Sequence, residues 1–346
     1  MASVKRQSFL TKTLVGAAAL IAFSTSPVAA QTNELQASFD DAFGTEVSEP
    51  QSFEAVYDSG FEQRIAELAN GDRGRIGVAA VDLMTGEEIM VLGDQLFPMA
   101  STSKIAVAAT YLEMVEQGRF SLTSEFPLLI PIRSAKFSSP AAPVREGNYM
   151  PAIDLIEIMI TRSSNPATDA LLAVIGGPEV VNDWVRRQGI EEFSIDRDIA
   201  TLVRDDGEYD PANWIDPRDS ATPRAMVQLL EGLYRGDFLT AEHREVLLGA
   251  MSRTVTGQRR IVAHMPEEAR VSHKTGSLNN TSSDIGIIET PDGRAIAVAI
   301  YVTGQGSRRA REARIAAIAR ALYDGFNVSA QQTPRQNWTS APRTGG

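Results

Sequence analysis

The sequence predicts an α+β fold of the α/β-sandwich kind: an antiparallel sheet from the N- and C-terminal parts flanked by helices, with an all-α domain inserted. Strand-like runs fall towards the two ends, at Ile76–Val81, Glu88–Leu92, Arg270–Lys274, Asp284–Glu289 and Ala295–Val302. Apolar residues at helical spacing occupy the middle and close the chain. With 346 residues there is enough chain for one large core or two coupled ones, and no internal repeat is visible.

Taken in order, residues 1–30 read as a signal peptide. Lys5, Arg6 and Lys12 make a positive start, Leu14–Phe23 an apolar centre and Val28-Ala29-Ala30 a small-residue cleavage site. The centre falls short of the roughly 20 residues of a membrane span, so no stable anchor is expected and the mature protein is read as periplasmic or secreted, cleaved near Ala30. Residues 31–57 form a polar, acidic lead-in linker. Phe61–Leu68 predicts a short helix, and Met84-Thr85-Gly86 turns the first strand pair. Ile105–Val115 predicts a helix stopped by Gly118, and Phe120–Met150, rich in Pro and Ser, a long loop. Further helices are expected over Ile153–Ile160, over Ala167–Val174 and from Pro178 towards Gly189. Ile199–Ala221 is dense in Asp and irregular, with Trp214 and Ile215 marking it as packed. Helices over Pro223–Tyr234, Ala241–Met251 and Arg308–Tyr323 complete the pattern. The domains expected are therefore 58–100 with 236–324 (α/β), 101–235 (all-α) and a disordered tail at 325–346.

Composition removes several functions. A formal charge of −11 argues against nucleic acid or an anionic membrane, since both demand a basic face. There is no cysteine, and the three histidines lack metal-site spacing, so no cofactor or metal is expected. Five lysines stand against 28 arginines. Where charge alone is needed this chain uses arginine; a retained lysine can also lose its proton or act as a compact point charge.

Lys104 and Lys274 each sit in a motif. In Ser101-Thr102-Ser103-Lys104, at a helix start, the i and i+3 side chains share a face, which sets an amine beside a hydroxyl. A serine needs such a base to become a nucleophile, and the amine serves only if its surroundings keep it neutral. Chance alone supplies Ser-x-x-Lys about once in a few hundred residues. Ser163-Ser164-Asn165, at a junction of helices, reads either as a polar turn or as a hydroxyl and a carboxamide facing a cleft. Lys274-Thr275-Gly276-Ser277 follows a strand and can offer a cation, hydroxyls and a backbone N–H to an anion.

In this order the three resemble the signature motifs of the serine beta-lactamase and penicillin-binding protein superfamily, and class A beta-lactamases in particular. The likeness extends to Phe97–Lys104, Asn165–Gly177, Arg218–Met226 and Lys274–Ile288, and spans roughly Phe61–Tyr323. It implies a beta-lactam substrate, a small molecule handled by a monomer. It also implies acylation of Ser101, proton removal involving Lys104, a proton relay through Ser163, and an oxyanion hole from the N–H groups of Ser101 and Ser277. Asn165 would hold the substrate amide and Lys104, while Lys274, Thr275 and Ser277 would bind its carboxylate, with an arginine such as Arg311 assisting.

Four positions depart from the family. Ser164 stands where an Asp is usual, and Asp169 where an Asn is. In class A enzymes an omega-shaped loop, bracketed by a paired Arg and Asp, carries the Glu that activates the deacylating water two residues after the Arg. Arg204 and Asp219, 15 residues apart, resemble that bracket, which puts Asp206 in the place of the Glu and Asp210 in that of a water-holding Asn. Glu208 is the other acid within reach. An acid one methylene short, displaced by about 1 Å, loses on the order of 100-fold in rate. The expectation is a beta-lactamase whose deacylation is slow; the alternatives are a penicillin-binding or sensing protein, or a DD-peptidase or esterase on the same fold.

Overall fold

The computed structural model describes residues 47–50 and 59–332. The expected signal peptide and its cleavage site, most of the lead-in linker and the tail beyond 332 lie outside the described residues. The first helix, α1 (Gly60–Ala69), opens on a capping box between Ser59 and Glu62. Strands β1 (Ile76–Asp82) and β2 (Glu88–Val91) form the expected hairpin, and β3 (Phe97–Pro98) leads into a 3-10 turn, Ala100–Ser103, which continues as α2 (Lys104–Glu116).

Where a long loop is expected, β4 (Glu125–Pro131) and β5 (Val144–Pro151) pair as a two-stranded ribbon. The prolines at 127, 131, 140 and 143 hide it in the sequence, because proline reads as a strand breaker although an edge position tolerates it. Helices α3 (Ala152–Thr161), α4 (Asn165–Ile175) and α5 (Pro178–Arg187) follow, then a loop over 188–222. Within that loop lie one short helix, α6 (Ile199–Asp205), and β6 (Ser220–Ala221), which pairs with β3. Ser48 N–H donates to Ile215 O (3.0 Å) and Ile215 N–H to Ser48 O (2.8 Å), tying the lead-in to the loop.

After α7 (Pro223–Arg235), α8 (Ala241–Ser252) and a 3-10 turn at Ile261–His264 come β7 (Arg270–Leu278), β8 (Thr281–Glu289), β9 (Ala295–Thr303) and α9 (Arg308–Gln332). The last helix runs past Tyr323 into the expected tail. The main sheet has the order β2-β1-β9-β8-β7, antiparallel throughout, so the N-terminal strand lies inside it and β7 is an edge.

β9 buries all nine of its residues, as a central strand covered on both faces must. Alternation divides them: Ala297, Ala299 and Tyr301 join one core with α2, α3, α4 and α7, while Ile296, Val298, Ile300 and Val302 join a second with α1 and α9. Among the described residues no helix is long and apolar enough to cross a membrane.

Candidate active site

Three segments meet where the helical side faces β7. Ser101 is the second residue of the 3-10 turn and partly exposed, and Lys104 is the first residue of α2 and fully buried. The preceding Ala100 has φ +51°, and Ser163 has φ +57°. Left-handed backbone in such residues costs about 1–3 kcal/mol and persists only where packing imposes it. At Ser163 it turns carbonyl and hydroxyl the same way, and Lys104 Nζ donates to both, at 2.9 and 3.2 Å, and to Asn165 Oδ1 at 2.7 Å. Ser164 caps α4, its oxygen accepting Ala167 N–H, so the exchange of Asp for Ser at this place keeps an N-cap.

From the other side Lys274 Nζ donates to the same Ser163 Oγ at 3.0 Å and to Thr275 O at 2.9 Å. Gly276 makes this approach possible: a Cβ there would lie 2.7 Å from Met99 O and 2.4 Å from Ser283 Oγ, and would push β7 off the turn that carries Ser101. Burial, then the Lys274 charge, holds Lys104 well below an ordinary lysine, against a smaller pull from Asp169. Burial also lowers Lys274 to about 7, opposed by Asp284 and reinforced by Arg260. Two ammonium groups around one hydroxyl repel each other, so the neutral form of one is favoured, and Ser163 Oγ–H can then donate to it.

The substrate-binding residues expected along β7 also lie here. Thr275 Oγ1 bonds Thr256 Oγ1 at 2.7 Å. Ser277 Oγ accepts from Arg260 Nη2 at 2.7 Å, and Arg260 Nη1 also donates to Gly276 O and Ser283 O, each at 2.7 Å. Arg260, almost fully buried, is the residue that the sequence reading missed. Its only signal was a place in the segment before β7, and nothing local announces that a guanidinium there is drawn in by strand carbonyls. Arg311 is committed elsewhere, to Ser282 Oγ, Asn280 Oδ1 and Gly304 O.

The loop bracket needs correction. Asp219 pairs with Arg197, Nε to Oδ2 at 2.6 Å, and also accepts the N–H groups of Asp196 and Arg197. Arg204 instead forks onto its neighbour Asp205 at 2.7 Å and onto Ser139. Bracket members are thus 22 residues apart rather than 15. Two residues past Arg197 stands Ile199, buried, so the spacing argument that set Asp206 in the place of the Glu falls away. Asp206 ends α6, its Oδ2 accepting Asn279 N–H at 2.8 Å and its carbonyl accepting from Lys136. Glu208 is paired with Arg218 at 2.8 Å, and Asp210 accepts from Asn280 Nδ2 at 2.8 Å.

Asp169, one helical turn past Asn165 on α4, fastens the loop from below. Its two oxygens accept Ile199 N–H at 2.7 Å and Ala200 N–H at 2.9 Å. Burial raises its carboxyl to about 7, with those N–H groups and Lys104 pulling it back. Among the described residues no group of His, Cys, Asp and Glu is placed to hold a metal.

Two buried lysines around one half-buried serine hydroxyl, between an antiparallel sheet and a helical layer, fit an active-site-serine hydrolase of the class A type. The description of the beta-lactamase enzyme family matches residues 60–326, and the chain belongs to that family. It is 32% identical to beta-lactamase CTX-M-4 of Salmonella typhimurium, over 77% of this chain and 89% of that protein. It is 27% identical to the extended-spectrum beta-lactamase PER-1 of Pseudomonas aeruginosa, over 76% and 86%. The crystal structure of a beta-lactamase from Chitinophaga pinensis superposes with a TM-score of 0.68 at 27% identity, covering 78% of this chain and all of the other. An ancestral class A beta-lactamase gives 0.66 at 35% identity, covering 77% of this chain and 100% of the other.

Proposed function

We propose that the protein opens the beta-lactam ring through an acyl-enzyme on Ser101. The observation that carries this is the single Ser163 hydroxyl within hydrogen-bond reach of both buried lysines. Ser101 Oγ attacks the lactam carbonyl as its proton leaves towards neutral Lys104, and the oxyanion is held by the N–H groups of Ser101 and Ser277. The C–N bond then breaks, Ser163 passes a proton to the ring nitrogen, and Ser163 is reprotonated from the lysines beside it. Asn165 orients Lys104 and the substrate amide. Lys274, Thr275 and Ser277 hold the carboxylate, and Arg260 behind them supplies a second positive charge. The same reading takes the protein as an exported monomer, its leader cleaved near Ala30.

Water must finally cleave the Ser101 ester, and two residues past Arg197, the spacing that the resemblance gives to the acid for that step, the chain has Ile199. Slow deacylation follows, and in the limit a second reading, a penicillin-binding or sensing protein whose adduct persists. Mixing the mature chain with a chromogenic cephalosporin while sampling intact mass separates the two. Turnover many times the enzyme concentration with little adduct supports the lactamase; one equivalent of colour with a lasting Ser101 adduct supports the sensor. A Ser101→Ala protein that turned over at the wild-type rate would overturn both.

A further inference from the structure

The chain between α8 and β7 is fastened to the edge strand beside the proposed carboxylate pocket. Thr254 Oγ1 donates to His273 O at 2.8 Å, and Thr256 Oγ1 bonds Thr275 Oγ1. Gly257, at φ +75°, lies so close to the strand that a Cβ there would collide with Thr275 Cγ2. This stretch delivers Arg260 to Ser277 Oγ, and Ile261 then opens the 3-10 turn. A polar pair that the proposed chemistry does not use lies against it. His273 Nδ1–H donates to the Asp284 carboxylate, at 2.9 Å to Oδ1 and 3.0 Å to Oδ2, and Asp284 Oδ2 also accepts Ile261 N–H at 3.1 Å. Both side chains are buried, that of Asp284 completely. Asp284 stands opposite Thr275 in the β7–β8 pairing, so it shares a face of the sheet with Thr275 and His273, while Lys274 leaves from the other face. Burial lowers Lys274, and Asp284 supplies the charge that opposes this, while Arg260 lowers Lys274 further. Burial lowers Arg260 as well, opposed first by Asp284 and then by Glu312. One buried carboxylate thus serves two cations; an amide in its place would have the shape without the charge.

We propose that Asp284, oriented by His273, is a positioning residue for the lactam carboxylate: it seats the turn that follows Arg260 and is the buried counter-charge shared by Lys274 and Arg260 behind one anion-binding pocket. Without it the two cations face each other across the end of β7 with no anion on that face, and a substrate carboxylate meets a weaker and less ordered pair. The inference rests on the proposed lactam chemistry and adds to it two residues that act through Lys274 and Arg260 rather than on the substrate.

The test compares wild type, Asp284→Asn and His273→Leu on benzylpenicillin and on its methyl ester, which share ring and acyl group and differ in the carboxylate. The quantity compared is kcat/KM, or the acylation rate of Ser101 read by intact mass where the adduct persists. Asp284→Asn is expected to lower the acid-to-ester ratio about tenfold or more, through the acid alone. His273→Leu keeps the charge but frees it to turn, and is expected to lower the ratio about threefold. An unchanged ratio in Asp284→Asn overturns the proposal. So does an equal fall on both compounds, which marks the pair as a structural tie. If Asp284→Asn is too unstable to acylate on either compound, His273→Leu decides by the same two criteria. A wild-type protein that acylates on both compounds equally keeps the lactam reading and overturns the part given to Asp284; one that forms a Ser101 adduct with neither overturns the lactam reading itself.

Discussion

The lysine centre and the loop between Arg197 and Asp219 are both polar assemblies, and they are built in opposite ways. In the centre two lysines share a hub of side chains, Lys104 bonding Asn165 and Ser163 and Lys274 the same Ser163, with the carbonyls of Ser163 and Thr275 as their backbone partners. In the loop carboxylates bond backbone N–H groups: Asp169 those of Ile199 and Ala200, Asp219 those of Asp196 and Arg197, Asp206 that of Asn279. A hub of side chains depends on the identity and reach of each member. A carboxylate on a backbone N–H needs only an acceptor at the right place, so a loop held that way can change its length and sequence while the centre cannot.

The contrast breaks first, and by most, at Lys104. Lys104→Met keeps the shape and removes the base, and is expected to slow acylation of Ser101 about a thousandfold with little change in Tm, read by single-turnover mass spectrometry. In the loop the corresponding loss is one of stability. Arg197→Ala leaves the buried Asp219 carboxylate without its charge partner and is expected to cost about 3 kcal/mol, read by urea unfolding, with acylation outlasting deacylation. The centre is sharpened by pH. Because Lys274 titrates at about 7 in the free protein, kcat/KM for a carboxylate-bearing lactam should fall above that pH, approaching tenfold per unit. Lys274→Arg, which stays charged, should flatten that limb. Smallest is the control outside both regions: Arg320→Ala removes an exposed i,i+4 pair with Asp324 and should change stability by about 0.5 kcal/mol or less.

The same contrast explains what the sequence made legible. Lys104 follows Ser101 by one 3-10 turn, its N–H bonding Ser101 O, and Ser163 and Asn165 flank the residue that caps α4; such local structure is what sequence pattern reports. That the sheet is antiparallel and drawn from both ends of the chain followed from the strand runs there; its strand order rests on distant pairings that no run announces. Arg260 was not legible, since what buries it is the set of carbonyls at Gly276 and Ser283, brought near only by the β7–β8 pairing. The loop bracket was misread because a spacing of 15 fitted Arg204, whereas the chain inserts α6 and its continuation between the true partners. Nor does any pattern announce left-handed backbone at Ala100 and Ser163, which tertiary packing imposes.

The place of β1 in the sheet has a further consequence, for the order of events in folding. It lies between β2 and β9, with Ile76 opposite Val302 and Asp82 opposite Ile296. An apolar strand from the first third of the chain thus acquires one of its two neighbours only after nearly 300 residues exist. Contacts so distant in sequence make for slow collapse to the native state. Until β9 arrives, the early hairpin carries an open, apolar edge that is prone to pair with other chains.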